Sequence, residues 1–212
     1  MRDIPMFSTE YGVASLVLRE IPYRQEAYIR VQDTSDPEEF LQECVGFCRM
    51  AGAEKIYATG HDALYKYPLH TAILRMQRSM DNLPQTDAMT VPVTEQTLRR
   101  WQERYNAAMA NVDNASYMDD QSAAEMLKRG DGYFVHRNGE LLGIGIASDE
   151  TIRAVVACMP GSGRDVLLAL THALWGEQIL LEVASTNTRA LRLYDRLGFI
   201  KTAELSRWYN VL

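Results

Sequence analysis

The segment 181–199, LEVASTNTRALRLYDRLGF, constrains this chain more than any other. It reads as a buried strand, a tight turn onto a polar cap, a short amphipathic helix and a glycine stop leading into another strand. Ile179 to Val183 is apolar on both faces except for Glu182. Such a strand belongs in the interior of a sheet whose two faces are both covered. On the helix, positions 187, 190, 191 and 194 share one side. Ala190 is small enough for a slender ligand to lie close. Asn187 offers a donor and an acceptor, and Tyr194 a hydroxyl in the same direction. The plainer alternative is that Asn187 only caps the helix and Tyr194 packs with its hydroxyl at the surface.

Composition narrows the function classes. The 212 residues are 47% hydrophobic and 24% charged, as in a globular protein that builds a core without metal or disulfides. Net charge is −6 with no basic run, which argues against nucleic acid and anionic membrane as partners. A cationic substrate such as an amine suits this balance. Cys44, Cys48 and Cys158 form no spaced framework, pointing to a reducing compartment and buried thiols. Cys44 and Cys48 share a helix face but lack the further ligands of a zinc site, so no metal is expected. The N-terminus carries no apolar signal core and no run reaches the ~20 apolar residues of a membrane span. A cytoplasmic protein is expected.

A proline-containing polar stretch at 81–89 reads as a linker between a half-domain, 1–80, and a larger domain, 90–212. Before it, strands are expected at Val13–Glu20, Glu26–Gln32, Glu54–Thr59 and Thr71–Gln77. Asp36-Pro37-Glu38-Glu39 opens a helix with a cap, a first-position proline and first-turn acids. After it come helices capped by Thr94 and near Asp119, and a hairpin turning on Asn138-Gly139. A strand at Ile152–Cys158, a helix at Arg164–Leu174, and the 181–199 segment follow. This order predicts a mixed α/β sheet with helices on both faces, preceded by a smaller ββαβ(α)β unit. The orders of Glu26–Gln77 and Thr151–Trp208 echo one another, as a decayed half-copy or as the common recurrence of βαβ units.

The spacing Leu-Glu-Val, then Asn187, Ala190, Leu193-Tyr194 and Gly198-Phe199, resembles the acetyl-CoA-binding end of the GNAT acetyltransferases. The hairpin from Tyr133 to Ala147 is similar to the strand pair preceding the cofactor strand of that fold. The resemblance covers about Met89 to Leu212. It implies an N-acetyltransferase that takes acetyl-CoA as co-substrate, and a small-molecule or peptide amine as acceptor, with direct attack on the thioester. Tyr194 is then the general acid for the departing thiolate, and Asn187 touches the pantetheine arm. Strand amides around Val156, Ala157 and Cys158 bind that arm and polarise the carbonyl. A module of the same fold that binds acyl-CoA or a protein without turnover is the alternative, transfer of a longer acyl group a third reading, and the sequence leaves room for an oligomer.

Met159-Pro160-Gly161-Ser162-Gly163-Arg164-Asp165, between a strand and a helix, sits where such proteins hold the pyrophosphate. Gly161, Ser162, Gly163 and Arg164 are the expected cradle, through backbone amides at a helix N-terminus. In one register Asp165 takes the last place. A carboxylate about 5 Å from a pyrophosphate costs roughly 1 to 3 kcal/mol. In the other register the loop is shortened. No general base stands out among Glu182, His136, Asp149, Glu150 and His172, and an amine can lose its proton through water.

Overall fold

The computed structural model describes residues 2–212. Its elements are β1 (Ile4–Ser8), β2 (Gly12–Val17), α1 (Ile21–Arg24), β3 (Glu26–Thr34), α2 (Pro37–Met50), β4 (Lys55–Thr59), a 3-10 turn (Asp62–Lys66) and β5 (Leu69–Ser79). They continue with β6 (Met89–Pro92), α3 (Glu95–Met109), α4 (Asp120–Arg129), β7 (Gly132–Arg137), β8 (Glu140–Ser148) and β9 (Thr151–Ala157). Last come α5 (Gly163–Thr171), β10 (Gln178–Ala184), α6 (Thr188–Arg196) and β11 (Ile200–Asn210).

Local chemistry sets many of these bounds. The Asp36 carboxylate accepts from the Glu38 and Glu39 amides, so α2 starts where the cap allows. Asp119 accepts from the Ser122 amide at 2.8 Å, and Gly130 (φ 69°) closes α4. Asn138 and Gly139 both have positive φ (51° and 80°), as the tight β7–β8 hairpin requires. Strands β1 and β6 escape the sequence pattern. Each contains a proline, Pro5 or Pro92, and lies at an end of the strand order. An edge strand pairs on one side only and so tolerates the missing amide.

The chain forms two compact units. One runs up to Ile73 and takes in Glu204–Leu212; the other is Leu74–Ala203. Segment 81–89 falls inside the second unit, and the division lies within β5, whose regular strand runs through it.

In the first unit the strands are ordered β1-β2-β3-β4-β11. Phe40, Leu41, Cys44 and Cys48 of α2 bury against Leu16, Ile29, Ile56 and Ala58 on one sheet face. Burial pushes the thiol of Cys44 up to about 12 and that of Cys48 up to about 11, as for packed apolar groups rather than reactive ones. Tyr28, Tyr57 and Trp208 cluster separately, Tyr28 edge-on to Trp208 at 5.4 Å. The parallel strands β3 and β4 stay paired from Glu26↔Lys55 to Arg30↔Thr59.

The second unit orders its strands β5-β10-β9-β8-β7-β6. Its sheet is covered on both faces. On one side α5 and α6 bury Val166, Leu170, Tyr194 and Leu197 with Val135, Ile152 and Leu181. On the other, Trp101 and Tyr105 of α3 and Met126 of α4 pack on Phe134, Ile144 and Val156. The indole of Trp101 also donates to the Tyr133 carbonyl at 3.0 Å.

Two glycines of β8 seat α5 against the sheet. A Cβ at Gly143 would lie 2.5 Å from a methyl of Val166, and one at Gly145 would lie 2.3 Å from a methyl of Leu170. The strand's two-residue period thus meets the helix's four-residue period, and the missing side chains bring α5 down onto β8. The Gly145→Ala variant should therefore lose about 1–3 kcal/mol of unfolding free energy, because the Ala154 carbonyl 2.7 Å away must also shift. Gly46 in α2 makes the control, since a Cβ added there would meet nothing within 4 Å. There Gly46→Ala should gain about 0.5–1 kcal/mol. Urea midpoints of the two variants check both signs.

Candidate functional site

The parallel strands β9 and β10 pair at Thr151↔Leu180 and Ile152↔Leu181, and the registered pairing ends there. Strand β9 continues to Ala157 along β8, through Val156↔Ile144 and Ala157↔Gly143. The Cys158 amide donates to the Leu142 carbonyl at 2.9 Å, on the β8 side. Strand amides alternate in direction, so Val156 also faces β8 while Val155 and Ala157 present theirs to the opening towards β10. In the first unit the equivalent strands β3 and β4 pair along the whole of β4, from Glu26↔Lys55 to Arg30↔Thr59.

One lip of the opening is the N-terminus of α5. Gly161 (φ 84°) turns the loop. The Ser162 hydroxyl lies 2.8 Å from the carbonyls of both Leu142 and Met159 and has one proton to donate between them, which ties the loop to β8. The first bond of the helix runs from the Val166 amide to the Ser162 carbonyl, so the amides of Gly163, Arg164 and Asp165 lie ahead of the helix's own bonding. They carry the positive end of the helix dipole. A Cβ at Gly163 would stand 3.4 Å from a methyl of Leu193 and 3.9 Å from the Ala157 Cβ, so α5, α6 and β9 converge here.

The opposite wall is α6. The side-chain oxygen of Asn187 caps the helix by accepting from the Ala190 amide at 3.1 Å. Its NH2 has no protein partner among the described residues and remains available to a ligand. Tyr194 is 8% exposed and rests at 5.7 Å from the Phe199 ring. Burial pushes its hydroxyl up to about 12, so it stays protonated at neutral pH. That hydroxyl has no hydrogen-bond partner among the described residues.

Together these walls enclose a cleft of about 690 Å³, the size of a small-molecule site. Of the residues singled out from sequence, Val156, Ala157, Gly161, Gly163, Arg164, Asn187 and Tyr194 line it. Cys158 and Ser162 do not: the amide of the first and the hydroxyl of the second are spent on Leu142. Sequence reasoning missed Val155, Arg189 and Arg196, and Ala108, Met109 and Val112 near the end of α3. The arginines were detectable, being seven residues apart and so on one helix face. The α3 residues were not, since only tertiary packing brings them in.

Asp165 is turned to other work. Its carboxylate pairs with Arg137 at 2.7 Å and Arg164 at 3.1 Å and accepts from Thr86 at 3.2 Å. It is absent from the cleft lining, and two guanidinium groups balance its charge. Burial pushes its pKa up, but Arg137, Thr86 and Arg164 together outweigh that and hold it below the ordinary carboxylate range. Arg137 also pairs with Asp87 at 2.6 Å, so this group ties the segment before β6 to α5. Among the other candidates, Glu182 is exposed and pairs with Arg75 at 3.3 Å. His136 is half-buried, with its Nδ1 buried and unbonded among the described residues. No carboxylate or imidazole lines the cleft. In the first unit His61 caps the 3-10 turn through the Ala63 amide, and His70 stacks on Tyr57 at 3.8 Å.

No family model and no curated protein matches the sequence. Solved structures do match in fold. A GCN5-related N-acetyltransferase from Anabaena variabilis aligns with a TM-score of 0.62 at 11% identity, over 93% of this chain and 58% of its own. A candidate acetyltransferase from Pyrococcus horikoshii aligns at 0.59 and 16% identity, over 95% of this chain and 70% of its own. A conserved protein of unknown function from Staphylococcus epidermidis aligns at 0.57 and 11% identity, over 96% and 91%. The fold is GNAT-like. No helix among the described residues is long and apolar enough to cross a membrane.

The depressed pKa of Asp165 fixes the sign of a pH effect. A carboxylate lowered in the folded state stabilises fully above its unfolded value and loses that contribution as pH falls through the folded one. The urea midpoint of the wild type should exceed that of Asp165→Asn by a constant gap above about pH 5, and the gap should close as pH falls below about 4. A gap independent of pH from 7 to 3 contradicts the ion-paired role.

Proposed function

We propose that this protein is an acetyl-CoA-dependent N-acetyltransferase acting on a primary amine, in a small molecule or a peptide, by direct transfer. The observation that carries the reading is the divergence of β9 from β10 beside an unpartnered Tyr194 hydroxyl. Coenzyme A has a pantetheine arm with two amides, and the Val155 and Ala157 amides are donors of the kind that accept such an arm as an added strand. The α5 amides, with Arg164, suit the pyrophosphate. The Asn187 NH2 suits a pantetheine carbonyl.

In this reading the amine nitrogen attacks the thioester carbonyl, the C–N bond forms, and the C–S bond breaks with its electron pair on sulfur. Open β9 amides receive the charge that develops on the carbonyl oxygen. Tyr194 donates to the leaving sulfur. A phenol near 12 is a poorer acid than a free thiol near 8.5, so complete transfer in water would be uphill by about 5 kcal/mol. Burial raises the thiol as well and narrows that difference, so Tyr194 acts first as a hydrogen-bond donor and then as the acid. With no carboxylate or imidazole lining the cleft, the proton of the attacking amine leaves through water. That same lack favours, as second reading, a module that binds acyl-CoA without turnover.

In the first unit the counterpart of this cleft leaves no room for a second cofactor of this kind. That space, between β3, α2 and the 3-10 turn, holds only about 10 Å³ and is lined by Phe40, Leu64 and Tyr67. Unpaired Cys44, Cys48 and Cys158 suit a reducing compartment such as the cytoplasm.

Calorimetric titration with acetyl-CoA, followed by assay on an amine panel, tests the reading. One site per chain is expected. The Tyr194→Phe variant should lose about 100-fold in turnover while its affinity for acetyl-CoA moves by less than about threefold. Binding without turnover on any amine would favour the second reading, and no binding would sink both.

A further inference from the structure

The cleft carries more positive charge than a pyrophosphate needs. Arg164, Arg189 and Arg196 line it, and no acidic residue does, in a chain of net charge −6. Arg164 stands at the α5 lip and is tied to Asp165 at 3.1 Å. Arg189 and Arg196 stand on the other wall, both exposed, and neither pairs with a carboxylate among the described residues. Arg196 is steadied by its Nε donating to the Arg192 carbonyl at 3.1 Å.

Their spacing matters. Seven residues of helix place the two backbone origins roughly 10 Å apart along α6. They lie one turn to either side of Leu193, the residue that faces Gly163 at the α5 N-terminus. Two guanidinium groups so placed, in addition to Arg164 and the α5 amides, suit a ligand with two separated anionic groups. Coenzyme A has that pattern: a pyrophosphate, and a phosphate on the 3′ carbon of its ribose.

We propose that Arg189 and Arg196, on the α6 wall, form a second anion seat that takes the 3′-phosphate and so selects coenzyme A over its 3′-dephospho analogue. This rests on the cofactor reading above. Guanidinium groups meet phosphate oxygens in paired, charge-assisted hydrogen bonds, which ties recognition to that group's presence. Because both side chains are exposed, the selectivity weakens as salt rises.

The test is calorimetric titration at low salt with acetyl-CoA and with acetyl-3′-dephospho-CoA, on wild type and on Arg189→Gln/Arg196→Gln. Wild type should prefer the 3′-phosphorylated ligand by at least about tenfold. The double variant should bind both within about twofold, with its affinity for the dephospho ligand unchanged, which also shows that the cleft is intact. Equal affinities in wild type, or a preference that survives the double substitution, overturns the arginine seat and leaves the cofactor reading standing. Binding of neither ligand to wild type overturns both.

Discussion

A hydrogen-bond deficit governs this molecule. Strand β9 has β8 along one edge for its full length, but β10 leaves its other edge after Ile152. Backbone amides at Val155 and Ala157 then face an opening. Backbone donors withheld from the protein must meet water or a ligand. In the first unit the corresponding parallel strands β3 and β4 stay joined, and the space beside them is filled by side chains. The same local order of strand, helix and strand thus gives strands joined along the whole of β4 in one case and a cleft between diverging strands in the other.

Several features hold the cleft in shape, and each can be traced to residue type. Gly143 and Gly145 let α5 lie on β8. Ser162 fastens the loop before α5 to the Leu142 carbonyl. Asp165, joined by Arg137, Arg164 and Thr86, fixes the first turn of α5 from the side away from the cleft. The α5 amides are left free because the side chains around them find partners elsewhere. Tyr194 is buried by its ring and free at its hydroxyl, a combination that suits a proton donor in a low-dielectric wall.

Much of the fold was legible in the sequence, because caps, turns and periodicity are local. Asp36, Asp119 and Asn187 all cap the helices that follow them, and β10 runs from Gln178 to Ala184 as its apolar run suggests. Two edge strands were hidden by their prolines. The wall at Asn187 and Tyr194 was readable from helical spacing, and Arg189 and Arg196 could have been read the same way. Three things were not readable. The direction of Asp165 depends on Arg137, a residue 28 positions away in sequence. The commitment of the Cys158 amide depends on strand register, which one residue of slip would reverse. The approach of Met109 and Val112 depends on how α3 packs.

The central claim is that the open edge of β9 is the seat of a pantetheine arm, and amide hydrogen exchange reads that edge directly. With saturating acetyl-CoA, the amides of Val155 and Ala157 should exchange at least about tenfold more slowly than without it, while those of Ala27 and Ile29 in the paired part of β3 keep their rates. Unchanged exchange at Val155 and Ala157 under conditions where acetyl-CoA binds would contradict the claim.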